Sequence, residues 1–333
     1  MIAEALRVLR ALRLKSTEFH FTEYSVGACE YLARGNPLPH SALEGCRKAD
    51  AILLGAMGLP HVRWPNGTEM APQLDLREQL DLYCGIRPCK LYHSADTPLK
   101  RREAGEIDVV VVRENTEGLF FGRKRMQDLR ADEARDEMRI SRAGAERICR
   151  AALRIARARR KRVSLIDKAN VLPSMAYFRS IFQQVAAEFP DVGTECVYVD
   201  AAALYLVQQP ERFDVLVTEN MFGDILSDLA AGIVGGMGMA PSADLGDKHG
   251  LFQPSHGSAP DIAGKGIANP IATILSAAMM LDWLPSDETK AAARRVESAV
   301  EEVLQDPQNR TPDLRGKLST EDLGRKVAER VSY

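Results

Sequence analysis

The sequence predicts an α/β fold built on a large, mixed, mainly parallel sheet. Apolar runs of strand length at 107–112, 163–167, 195–200 and 213–218 alternate with longer stretches of helical periodicity. That is the pattern of strands joined by crossover helices. Each run ends in a cluster of polar residues, and open α/β sheets gather ligands at the carboxyl ends of their strands. No G-x-G-x-x-G fingerprint and no P-loop occurs, so the fold is read as α/β but not Rossmann.

Taken in order, the chain opens with an Arg-rich amphipathic stretch whose Leu6, Leu9 and Leu12 repeat at helical spacing. Glu4 and the immediate onset of ordinary domain sequence favour a structural helix there over a transit peptide. Residues 19–24 alternate like a strand, and 51–56 is a short apolar strand running into a glycine turn. Residues 58–72 read as a loop rich in Gly, Pro and Asn, and 73–83 as a helix. The strand at 107–112 ends at Arg113, and the charged segment 123–139 lacks an apolar stripe. Ser141 is placed to cap a basic helix with Ile148, Ala152 and Ile155 on its core side. The strand at 163–167 leads into Lys168 and Asn170, and a helix over 177–189 precedes the strand 195–200. The strand at 213–218 feeds Glu219 and a helix over 225–234, and a second apolar helix spans 271–281. Two amphipathic helices joined by a Pro-containing loop close the chain over 286–333.

The totals set limits. The 333 residues suffice for two domains. With 45% apolar and 27% charged residues, the chain has the composition of an ordinary globular protein. A net charge of -2 gives no nucleic-acid footprint, so any anion site must be local. No apolar run approaches the ~18 residues that span a membrane. Six scattered cysteines without a C-x-x-C pair read as reduced thiols in a cytoplasmic protein, with no zinc site.

Chemistry converges on 219–228. Asp224 and Asp228 are four apart and share one helix face, where like charges oppose each other. A divalent cation would relieve that opposition, and a polar helix start facing water fits the same spacing. Arg77, Arg87 and Arg113 are three guanidiniums near element ends, and their rigid forks suit a dicarboxylic acid. Asp200 could join the other two aspartates around one hard cation, and Lys168 could act as a base if its pKa is lowered. The residues by themselves reach metal-assisted chemistry on a small acid.

Three long segments carry a resemblance. They are 167–172 (Asp-Lys-Ala-Asn-Val-Leu), 220–228 (Asn-Met-Phe-Gly-Asp-Ile-Leu-Ser-Asp) and 256–270, which begins His-Gly-Ser-Ala-Pro-Asp-Ile. With them the chain resembles, over nearly its whole length, the β-decarboxylating 2-hydroxyacid dehydrogenases. These include the isopropylmalate, isocitrate, homoisocitrate and tartrate enzymes. The resemblance implies an isopropylmalate dehydrogenase-like two-domain fold. Residues 1–82 with 235–333 form its cofactor side, and 83–234 form its dimerisation, metal and substrate domain, with an intersubunit arm near 123–139. Arg77, Arg87 and Arg113 match the arginines that grip the malate carboxylates. Asp224 and Asp228 match metal ligands of one subunit. Asp200 and Lys168 match the metal ligand and general base supplied by the other, which implies a homodimer with a shared active site. Asn170, the loop His256, Gly257, Ser258, Ala259, Pro260, Asp261 and Ile262, and Asn269 match cofactor-binding positions. The carboxylate at Asp261 implies NAD rather than NADP, since it would repel a 2′-phosphate. The metal is Mg2+ or Mn2+.

The chain also departs from the family. It begins at the first helix, without the strand and glycine loop that normally precede it, which the reading takes as a start placed too far downstream. Phe120, followed by Phe121, stands where the family has the proton-donating tyrosine, and Gln253 replaces a glutamate. Met70, Gln73 and Leu74 occupy positions that touch the variable substituent. Isopropylmalate enzymes have leucine in place of Gln73, and burying an unpartnered amide costs roughly 1–3 kcal/mol. The expectation is therefore NAD- and metal-dependent oxidative decarboxylation of a malate-type 2-hydroxy dicarboxylic acid other than isopropylmalate. The alternative is a catalytically impaired or regulatory ligand-binding subunit of the same family.

Overall fold

A computed structural model describes residues 1–123 and 130–332. The chain divides into two compact units, Met1–Leu80 with Gly235–Tyr333, and Asp81–Val234. In chain order, the first unit begins with α1 (Ile2–Ala11), α2 (Ala28–Arg34), α3 (His40–Lys48), β1 (Ile52–Leu53) and α4 (Pro72–Gln79). The second unit comprises β2 (Cys84–Lys90), β3 (Asp108–Glu114), α5 (Arg142–Arg157), β4 (Arg162–Asp167), α6 (Pro173–Ala186), β5 (Gly193–Tyr198), α7 (Val199–Gln208), β6 (Val215–Thr218) and α8 (Asn220–Gly232). The chain then returns to the first unit with β7 (Pro241–Leu245), β8 (Gly250–Pro254), α9 (Ile271–Trp283), α10 (Asp287–Gln305) and α11 (Thr320–Val331).

The second unit is organised by strands in the order β2-β3-β6-β4-β5. All but β2 run parallel. The central strands β3 and β6 carry unbroken apolar runs because both of their faces are covered. Val109 to Val112 and Val215 to Val217 are at most 4% exposed. Helix α5 buries Ile148, Cys149, Ala152, Leu153 and Ala156 along one stripe. Its basic end is neutralised inside the fold: Arg157 pairs with Asp191, and Arg159 with Asp108 and the buried Asp214. The register puts Arg113 beside Thr218, Thr218 beside Ile166, and Asp167 beside Tyr198. The carboxyl ends of the four parallel strands therefore form one row.

In the first unit β8 pairs parallel with β1 and antiparallel with β7. Helix α9 is buried on nearly every side, as an apolar helix must be, and packs on β7, β8, α1 and α10. A smaller cluster of Ala28, Val62 and Met70 packs with Tyr31, Leu59 and Trp64. Met70 is 1% exposed there, so it is a core residue rather than a substituent contact.

Several elements differ from expectation. Residues 19–24 form no strand: Phe19 and Phe21 stack at 5.9 Å and Arg10 lies over Phe21, but no ladder forms. Alternation marks a surface that could pair, and a strand exists only where a partner backbone is present. β2, which carries Arg87, was not foreseen because Pro88 and two further polar residues break its apolar run. Asp200 does not end a strand but sits in the first turn of α7. Helix α8 starts at Asn220, five residues before the apolar stretch, because Glu219 caps it by accepting the Phe222 N–H at 2.7 Å. Asp224 therefore lies past the first turn, where the helix dipole offsets little of its charge. Of the expected arm, residues 124–129 lie outside the described residues. Its two ends meet, since Gly118 and Arg139 exchange backbone hydrogen bonds at 2.8 and 3.2 Å.

Candidate active site

Arg113 is the penultimate residue of β3 and is 2% exposed. Its Nε and Nη2 donate to Asn220 Oδ1 at 2.9 and 2.7 Å, and Nη1 pairs with Asp224. Its guanidinium lies 5.3 Å from the centre of the Phe120 ring. Gly223 makes this approach possible, because a Cβ there would come within 2.7 Å of Arg113 Cγ. Asp228 follows one turn after Asp224 on α8. Packing around its carboxyl and the charge of Asp224 raise its pKa, against the pull of Arg87 and Arg113. A carboxyl raised in this way, one turn from a second aspartate, suits a divalent cation. Arg87 itself is 5% exposed on β2.

Lys168 follows β4, and its Nζ donates to Asp200 Oδ1 at 2.7 Å. That hydrogen bond holds the Asp200 carboxyl below the usual carboxylate range. Asp200 remains largely exposed, so the pair is a labile one. Asn170 is exposed in the turn that follows. Within one chain the structure thus joins Arg113 to Asp224 and Lys168 to Asp200. Among the described residues, no three His, Cys, Asp or Glu side chains are grouped to hold a metal ion.

The remaining expected residues lie in the first unit. Arg77, on α4, is buried with its Nε 2.9 Å from Asp244 Oδ2. Gln73 and Leu74 are half-buried on the same helix, and Gln73 Oε1 is shielded from solvent without a hydrogen-bond partner. In the loop after β8, Ser258 Oγ donates to the Gly58 carbonyl at 2.5 Å. His256 Nδ1 lies 2.8 Å from the Gly257 carbonyl, while Nε2 is buried and unpartnered. Burial holds the imidazole pKa below its ordinary value. Gly257, Ala259, Pro260 and Asp261 are exposed, Ile262 is half-buried, and Ala259 adopts a φ of 42°. An unsatisfied ring nitrogen in a loop that also carries an exposed acid fits a polar cofactor with hydroxyls to offer. Asn269 differs from these. Its Oδ1 accepts the Ile271 N–H at 3.0 Å and its Nδ2 reaches Asp313 at 3.2 Å, so it fastens the start of α9.

Four polar residues that brace this region escaped the sequence reading. Glu114, 3% exposed, accepts from the Thr116 hydroxyl at 2.6 Å and from the N–H groups of Thr116 and Glu117. Burial pushes its carboxyl up to about 7. Glu117 accepts from the Ser141 N–H and hydroxyl at 2.8 and 2.6 Å. Glu219 takes the Leu119 N–H as well as its helix cap, and Asn220 donates to the Glu117 carbonyl at 2.9 Å. The run Arg113-Glu-Asn-Thr-Glu-Gly at a strand end was the available signal: its acids face backbone N–H groups that a tight turn leaves unpaired.

A family model described as isocitrate/isopropylmalate dehydrogenase matches residues 1–327. The 3-isopropylmalate dehydrogenase of Moorella thermoacetica is 47% identical over 323 residues, covering 94% of this chain and 89% of that protein. That of Aquifex aeolicus is 42% identical over 344 residues, covering 99% and 93%. Among solved structures, isocitrate dehydrogenase from Methylococcus capsulatus matches with a TM-score of 0.89 at 38% identity, covering 100% of this chain and 95% of that one.

These relatives correct the expectation of a malate-type acid other than isopropylmalate. Relatives 42–47% identical over nearly the whole chain are named 3-isopropylmalate dehydrogenase. The physical reason lies at Gln73. Its Oε1 is already shielded without a partner in the folded chain, so an apolar group arriving there adds no desolvation cost for that oxygen.

Proposed function

This chain belongs to the isocitrate/isopropylmalate dehydrogenase family, and from that premise we propose that it oxidatively decarboxylates 3-isopropylmalate, using NAD and a divalent cation. The observation that carries the reading is Arg113, a buried guanidinium at a parallel-strand end, aimed by Asn220 and set beside the Asp224 and Asp228 carboxylates. An anionic substrate and a cation share such a place naturally.

Arg87 and Arg113 hold the substrate carboxylates by charge-assisted contacts. Arg77 adds its charge with Nε anchored on Asp244. Gln73, Leu74 and Phe120 meet the remainder of the substrate. Asp224 and Asp228 would hold Mg2+ or Mn2+ together with Asp200 of the partner subunit. The Asn170 turn and the loop from His256 to Ile262 would hold NAD, with Asp261 accepting from ribose hydroxyls and disfavouring a 2′-phosphate. When bound, NAD supplies the hydride acceptor and the cation supplies positive charge beside the reacting oxygen. Lys168 of the second protomer moves the hydroxyl proton, and its contact with the exposed Asp200 carboxylate gives way as the site assembles.

A homodimer follows from that division of residues. Leu204 and Val207 on α7 and Ile225 on α8 are 51%, 43% and 59% exposed, on two helices that pack together. Such an apolar face suits a second copy of the chain.

The test is a kinetic panel of 3-isopropylmalate, isocitrate, homoisocitrate, D-malate and tartrate, with NAD or NADP, with and without Mn2+. The expected result is metal-dependent formation of NADH and CO2, with the highest kcat/KM for 3-isopropylmalate and NAD. A preference of ten-fold or more, about 1.4 kcal/mol, for another acid sinks the substrate reading.

A further inference from the structure

We propose that Asn220 is the positioning residue for carboxylate binding, acting through Arg113; the inference rests on Arg113 being a substrate contact. Two donors of the guanidinium, Nε and Nη2, converge on the single oxygen Asn220 Oδ1 at 2.9 and 2.7 Å. A carbonyl oxygen has two lone pairs, so one acceptor satisfies both. The other end of the amide is fixed too, since Nδ2 donates to the Glu117 carbonyl at 2.9 Å. Exchanging the two ends would set donor against donor and acceptor against acceptor, so the amide has one orientation. Its backbone is held as the first residue of α8 by the Glu219 cap. The bare Gly223 on the same helix admits the Arg113 stem. Together these contacts fix the guanidinium plane at the end of β3.

The choice of an amide matters. Asp224 already sets one carboxylate on Nη1. A second carboxylate at this position would hold Arg113 equally well, but it would leave the guanidinium between two anions and repel an anionic substrate. It would also set an acceptor against the Glu117 carbonyl. A neutral acceptor orients the guanidinium and adds no further negative charge.

The experiment compares the wild type with Asn220→Ala, Asn220→Asp, Arg113→Lys and Arg113→Lys/Asn220→Ala, each checked by thermal melting. Asn220→Asp keeps the shape and serves if Asn220→Ala does not fold. Both Asn220 variants are expected to raise KM for the hydroxy acid about ten-fold or more, Asn220→Ala by losing charge-assisted hydrogen bonds and Asn220→Asp by adding negative charge beside Arg113, with KM for NAD within about two-fold of wild type. Lysine lacks the fork, so adding Asn220→Ala to Arg113→Lys should cost little more. A folded Asn220→Asp with unchanged KM for the acid, or fully additive losses in the double variant, overturns the proposal. A wild type inactive on every acid of the panel instead overturns the functional reading on which it rests.

Discussion

Replacing Arg77 by methionine should destabilise the first unit through the charge it removes rather than the volume. The Arg77 Nε lies 2.9 Å from Asp244 Oδ2, with the two side chains 5% and 0% exposed. Methionine retains most of the apolar stem, so no large cavity opens. What disappears is the guanidinium facing a carboxylate that also accepts from Gln253 Nε2 at 3.1 Å. Removing one partner of a buried ion pair costs ~3–5 kcal/mol, because the other charge stays behind in a medium that solvates it poorly. For a unit of this size that corresponds to a fall in Tm of roughly 6–20 °C. Circular-dichroism melts and urea titrations at neutral pH measure it. Arg77→Met/Asp244→Leu removes both charges and should recover much of the loss. A single variant within about 1 kcal/mol of wild type, or a double variant worse than the single, refutes the reasoning.

Glu114 gives a pH-dependent prediction. Burial pushes its carboxyl up to about 7 from an unfolded value near 4.5. Its stabilising contribution is therefore complete below the unfolded value and is lost as pH rises to about 7. Wild type should lose on the order of 3 kcal/mol relative to Glu114→Gln across that window, and a gap between urea midpoints that ignores pH counts against it. Ser141 caps α5 by accepting the Gly144 N–H at 3.0 Å and donates to Glu117 at 2.6 Å. Ser141→Ala should cost roughly 2 kcal/mol in chemical denaturation, and a loss below about 0.5 kcal/mol denies the cap its role. Phe120 stands beside Arg113, at the position where the family resemblance implies a tyrosine. Phe120→Tyr should raise kcat for CO2 release roughly ten-fold or more, and an unchanged kcat places the proton donor elsewhere.

How much of this could be read from sequence depends on what each element buries. β3, β4 and β6 announce themselves because a strand covered on both faces needs an unbroken apolar run. β2 does not, since Arg87 and Pro88 interrupt it, and backbone pairing such as the ladder with β3 makes it a strand. Residues 19–24 show the reverse: alternation without a ladder. The start of α8 hinged on the Glu219 carboxylate reaching the Phe222 N–H, a local contact that apolar periodicity cannot reveal. At the site, the charged groups were legible because Arg113, Lys168, Asp200 and Asp224 follow strand ends. Asn220, Glu114 and Glu219 were not, because their work is to orient other groups across 100 or more residues of chain or within a tight turn. The substrate was misread from one side chain, Gln73, whose carbonyl oxygen is already shielded in the fold.

The most direct test mixes two inactive variants, Lys168→Ala and Asp228→Asn, after unfolding and refolding them together. If each active site draws its lysine from one protomer and its α8 aspartates from the other, random pairing makes half the dimers mixed, each with one intact site. Activity should then return to about a quarter of the wild-type value. Mixed dimers that form and remain as inactive as either parent would contradict the shared site.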